Sequence, residues 1–189
     1  MWQIPAANTA LVEQVKNGTA MLADLTGGGA TQVGCTGAPY HHAAIPATFP
    51  ANGAYTEAIY AVSIPGVLPS ACVSAYQALA ACQLSGKRLM SNAEWTQTAV
   101  GTPSAVGDNG TTNCATNSPG PIDTGSRSGC VSAVGAFDMV GNVSELTPDS
   151  GASFRGGDFG NGTDAGLFTR GSLFDPTSGD SAVGFRCAR

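Results

Sequence analysis

Charge is scarce in this chain of 189 residues: only 11% are Asp, Glu, Lys or Arg, against roughly 25% in average proteins. Cations are scarcer still. The 8 Lys plus Arg are dispersed along the chain, and against 13 Asp plus Glu they leave a net charge of −5 and a pI near 4.7. Binding a phosphate backbone needs clustered cations, so nucleic acid is not expected as a partner. No apolar run reaches the roughly 18 residues of a membrane helix, so membrane insertion is not expected either. Residues 1–30 lack the basic start, apolar centre and small-residue cleavage site of an export signal.

Histidine occurs only as His41-His42. Adjacent histidines in a loop rarely point at one metal, and a Ser-His-Asp triad or Cys-His dyad would have to recruit this pair. Both are expected to sit in a surface loop. There is no G-x-S-x-G and no P-loop stretch, and no two cysteines form a CxxC, so zinc-ribbon and thioredoxin readings fail.

Glycine and proline, by contrast, are plentiful. The 26 Gly and 11 Pro exceed the roughly 23 that average usage gives for this length, which implies much turn and irregular loop. With 42% apolar residues and a mean hydropathy of +0.05, the chain should still fold as one globular domain spanning 1–189. Six cysteines (Cys35, Cys72, Cys82, Cys114, Cys130 and Cys187) without metal spacing suggest disulfides and an oxidising setting, with the pairing open. Cys114 and Cys130 bracket part of the polar stretch 101–129. A bond between them would close a loop of about 17 residues and contribute roughly 3 kcal/mol in the chain-entropy model.

Helices are legible at three places. Asn8 can cap a helix that runs to Gly27 and is open to a break at Gly18, within an N-terminal helical segment 1–30. Ser70 can cap a second that ends at Leu84 before Gly86. Ser91-Asn92-Ala93-Glu94 is a capping box, with Met90 and Trp95 placed as a hydrophobic staple. Tyr55 to Ile64 has strand composition. The stretch 101–129 reads as a pinned functional loop.

Two local motifs bear on chemistry. Gly160-Asn161-Gly162-Thr163-Asp164-Ala165 has the spacing of a dinucleotide fingerprint, but no buried strand and helix flank it, so the chemistry does not follow. Asp138 and Glu145 flank a tight turn and are the residue types that hold calcium. The sequons at Asn17, Asn109, Asn142 and Asn161 are chance matches in a chain this rich in Asn, Ser and Thr.

Four ordered blocks, "GKRLMSNAEW" at 86–95, "GAFDMVGNVSEL" at 135–146, "FRGG" at 154–157 and "GFRCAR" at 184–189, resemble the formylglycine-generating enzyme (sulfatase-modifying factor) family. The resemblance implies an α+β, C-type-lectin-like fold of that subclass, with two to three helices, short strands and much irregular loop. It also implies a Cys82–Cys187 disulfide and a structural calcium held by Asp138, Gly141, Val143 and Glu145. The enzyme branch of that family oxidises a substrate cysteine with a cysteine pair between "RGG" and "GFRC". This chain has no cysteine between Cys130 and Cys187, so neither copper nor that chemistry is expected. It also has Ser144-Glu145-Leu146 where the family usually has Trp-Glu-Trp.

The run from Arg155 to Phe168, with Pro176 and Val183-Gly184-Phe185-Arg186-Cys187, is similar to the variable region of diversity-generating retroelement variable proteins. That resemblance implies a variable region at 154–187, in which Asp158, Phe159, Gly160, Asp164, Thr169, Arg170, Gly171, Leu173, Phe174, Asp175, Ser178, Asp180 and Ser181 would bind ligand. Phe159, Leu173 and Phe174 would anchor it, while Arg155, Gly156, Gly157, Ala165, Gly166, Phe168, Pro176, Gly184 and Phe185 would form the frame. The function implied is non-catalytic display of a diversified site to a protein or cell-surface ligand, outside the cell, on a cell surface or on a virion. The alternatives are a fixed binding or structural module of the same family, and an enzyme of unrecognised chemistry.

Overall fold

The first helix forms and stops as its ends dictate. In a computed structural model, which describes every residue except Ala105, Ser150, Gly151 and Phe174, Asn8 accepts the amide of Leu11 and opens α1 (Thr9–Asn17). Gly18 ends it in the left-handed region at φ 74°, where a side chain would be strained. The N-terminal helical segment is therefore two helices, α1 and the short α2 (Leu22–Gly27), and the chain has four α-helices among its described residues.

The next helix, α3 (Ala75–Leu84), begins after Ser74 rather than Ser70. Cys72 lies at φ 59° and is tied to Cys35, so a right-handed helix cannot pass through it. Ser74 and Gln77 supply the capping box instead, with both reciprocal bonds at 3.0 Å. The expected box at Ser91 and Glu94 does open α4 (Asn92–Ala99), and Met90 and Trp95 are buried in one cluster.

Strands are short. One sheet orders β3 (Ala43–Ala44), β2 (Thr31–Gly34), β1 (Trp2–Gln3) and β4 (Ile59–Tyr60). Of the strand expected at 55–64, only those last two residues pair. A two-stranded sheet joins β5 (Arg88–Leu89) to β10 (Cys187–Ala188). A third, in the order β8 (Gly166–Ser172), β7 (Ser153–Gly156), β6 (Ser144–Thr147) and β9 (Val183–Phe185), is antiparallel except where β9 runs parallel to β6. The largest core cluster, including Val33, Phe49, Ile59, Val73, Leu146 and Val183, packs α3 between the first and third sheets.

Three disulfides close the molecule: Cys35–Cys72, Cys82–Cys187 and Cys114–Cys130. The second joins the core helix α3 to the last strand. The third, with the buried Asp108–Arg127 ion pair at 3.3 Å, secures a stretch that has neither helix nor strand among its described residues from 101 to 129. The histidine pair is divided, because His41 is exposed while His42 is buried against Tyr40.

Candidate ligand-binding face

Asn142 is the hub from which the loops of this face are hung. Its backbone sits at φ 61° and its side chain is buried. The side-chain amide makes reciprocal bonds with the backbone of Ile122 (3.0 and 3.1 Å). Its own N–H donates to Ala115 and its carbonyl accepts from Phe159 (2.7 and 3.0 Å). Gly141, at φ 75°, lies so close to the Ala115 carbonyl that any Cβ would overlap it. The Gly-Asn-Val turn thus joins the disulfide-closed loop to the segment that begins at Asp158.

That segment is rigid without being regular. Asp158 Oδ1 accepts from Gly160 (2.8 Å), Asn161 Oδ1 accepts from Asp158 (2.9 Å), and Gly162 donates to Thr116 (2.6 Å). Only a 3₁₀ turn, Gly162–Asp164, follows, so no helix N-terminus faces a pyrophosphate. Burial and then the nearby Asp180 charge raise the Asp158 carboxyl, against the opposing bond from Gly160. The loop 175–181 is secured in turn. Pro176 accepts from Ala75 and Asp180 from Cys72 (3.0 and 2.9 Å), and the Tyr40 hydroxyl donates to Ser181.

The expected binding residues that the structure describes share one property: none of them is buried. Gly160, Asp164, Arg170, Asp175, Ser178, Asp180 and Ser181 are exposed, and Asp158, Phe159, Thr169, Gly171 and Leu173 are partly so. Phe174 lies outside the described residues. Frame positions Gly156, Gly157, Ala165, Gly166 and Gly184 are buried. Leu173 packs partly against the main core, so it is less an anchor than a support.

Phe168 corrects the expectation. Placed in the frame by sequence, it is 88% exposed. Exposure alternates along β8, with Phe168, Arg170 and Ser172 outward and Leu167, Thr169 and Gly171 inward, the period of a strand with one wet face. Leu167 packs beside Trp95 and Met139. The signal was in the sequence: Arg170, expected at the surface, fixes the face of the residue two places before it.

Of the residues expected to hold calcium, Asp138, Val143 and Glu145 line one cavity. Glu145 Oε2 accepts from Trp95 Nε1 at 2.7 Å, and Arg186 donates to Glu145 Oε1 from Nε (3.0 Å) and Nη2 (2.6 Å). A guanidinium therefore holds this carboxylate in place. Asp138 Oδ2 accepts from Gly125, and Oδ1 is buried without a partner. Burial raises its carboxyl, against the Gly125 bond and the Arg186 charge. Among the described residues no three His, Cys, Asp or Glu side chains converge.

The blocks around this site place the chain among known proteins, because the family model of the sulfatase-modifying factor enzyme 1-like domain matches residues 51–189. The chain belongs to that family. Its α+β architecture is the C-type-lectin-like one of the sulfatase-modifying factor fold, and the Cys82–Cys187 bond joins the cysteines that the family resemblance paired. Among solved structures it is similar to the Major Tropism Determinant I1 variant (20% identity, TM-score 0.49, 61% of this chain and 37% of that one). It is also similar to the P3c variant (16%, 0.48, 61% and 37%) and to Treponema denticola variable protein 1 (22%, 0.42, 52% and 46%). The chain thus spans less than half the length of each. No curated protein matches the sequence.

Proposed function

We propose that this member of the sulfatase-modifying factor family is a non-catalytic binding protein, displaying a diversified surface to a protein or cell-surface ligand outside the cell. The observation that carries the reading is the division within residues 154–187 between accessible nominated positions and buried frame glycines. Side chains on such a surface can change without disturbing the core, so binding varies while stability does not. Phe168 is its exposed aromatic anchor, with Arg170, Asp164, Asp175 and Asp180 supplying polar contacts.

The placement of the cysteines supports the non-catalytic reading. All six cysteines are in disulfides, and none lies between Cys130 and Cys187, so no thiolate is present to bind copper or attack a substrate. Sequencing the 3′ end of the gene and its surroundings tests the reading. A near-identical repeat differing mainly at adenines, beside a reverse transcriptase gene, is expected; absence of both would favour the fixed module.

A further inference from the structure

The loop 175–181 rests on fixed structure that is itself exposed and aromatic. Its Pro176 carbonyl accepts from Ala75, the first residue of α3. The next residue, Tyr76, is 43% exposed, and Leu79, one turn on along the same helix face, is 37% exposed. On the far side of Tyr76 the turn around Gly53 comes so near that a Cβ added at Gly53 would meet the Tyr76 Cβ at 3.2 Å. Ser74 Oγ and Gln77 Nε2 hold that turn through the carbonyls of Ala51 and Phe49 (2.6 and 2.7 Å). Tyr55, 42% exposed, stands over buried Phe49 with ring centroids 5.4 Å apart.

These side chains are mounted on the core rather than on a mobile loop. Pre-positioned tyrosines give large amphipathic contact area at low entropic cost, and among the described residues these stay about two-fifths exposed.

Charge indicates the occupant. The adjoining loop reads Asp-Pro-Thr-Ser-Gly-Asp-Ser, with Asp175 and Asp180 exposed and no Lys or Arg. Asp158 lies within electrostatic reach of Asp180, and the whole chain is acidic. Carboxylates beside open tyrosine rings suit ammonium and guanidinium groups, by ion pairing and by cation–π contact.

We propose that Tyr55, Tyr76 and Leu79 form a fixed flank of the recognition face, and that flank and loop together take a protein partner presenting Lys or Arg side chains. This rests on the binding reading above. The flank supplies affinity common to all versions of the surface, and the variable positions supply selectivity.

The test is selection of random peptides on phage against the immobilised full chain at low salt. Enriched peptides are expected to carry Lys or Arg beside apolar residues, and to bind a Tyr55→Ser/Tyr76→Ser variant of unchanged Tm at least about tenfold more weakly. Asp175→Asn/Asp180→Asn should weaken binding and flatten its salt dependence. Neutral or acidic peptides, no enrichment, or equal binding by the tyrosine variant would overturn the proposal. A Phe168→Ser/Arg170→Ser variant separates the two readings. If it alone loses binding, the recognition face stands and the flank falls; if neither variant loses binding, both fall.

Discussion

Gly171 lies beneath the ring of Phe154, its partner across β7 and β8, and a Cβ at Gly171 would overlap the far edge of that ring. A Cβ added at Gly160, nominated for the same role, would meet only Asp158 Oδ1, at 3.4 Å. The two glycines should therefore part company. Gly160→Ser is expected to leave stability within about 0.5 kcal/mol, whereas Gly171→Ser forces the Phe154 ring aside and should cost about 1–3 kcal/mol. Urea unfolding of both variants checks this, and equal costs would show that position 171 is as free as position 160.

The Cys82–Cys187 bond spans 105 residues of sequence. Its closure constrains the unfolded chain more than either other bond does, contributing about 4–5 kcal/mol in total in the chain-entropy model. Replacing both cysteines with Ala should lower Tm more than the same change at Cys114 and Cys130. Thermal melts decide it, and non-reducing mass mapping should recover the three pairs described.

His42 makes stability depend on pH in one direction. Burial, assisted by nearby positive charge, pushes its imidazole down from 6.5 to about 4. Between those values the unfolded chain takes up a proton that the folded chain refuses. The contribution is therefore complete above pH 6.5 and is lost as pH falls toward 4. His42→Gln should flatten the fall in denaturation midpoint across that window; parallel slopes would contradict the assignment.

Because Arg186 and Trp95 already satisfy Glu145, excess chelator is expected to leave Tm unchanged. Glu145→Gln should lower stability by about 2–3 kcal/mol by leaving a partly buried guanidinium without its counter-charge. A chelator-induced fall in Tm would contradict this and place calcium at the turn.

What was legible in the sequence was local or periodic. The Ser91–Glu94 box forms within one turn, so four residues suffice to place α4. Cys72 shows the opposite case: its left-handed backbone and its bond to Cys35 depend on a contact across 37 residues, and this displaced the expected start of α3 from Ser70 to Ser74. The same holds at Glu145, whose partner Arg186 lies 41 residues away and is not signalled by its neighbours. His42, read as surface, is buried by Tyr40 and by the close approach of Gly34. Phe168 was readable by strand alternation and was obscured by its hydrophobicity, since a large aromatic is ordinarily assigned inward.

The central claim is that residues 154–187 carry a changeable face on an unchanging frame, and randomised libraries displayed on yeast measure it most directly. One library varies Asp164, Phe168, Arg170, Ser172, Asp175, Ser178, Asp180 and Ser181; the other varies Gly156, Gly157, Ala165, Gly166, Val183 and Gly184. Protease resistance reports the folded fraction of each. Most members of the first library should remain folded and most of the second should not; equal loss from both would contradict the account.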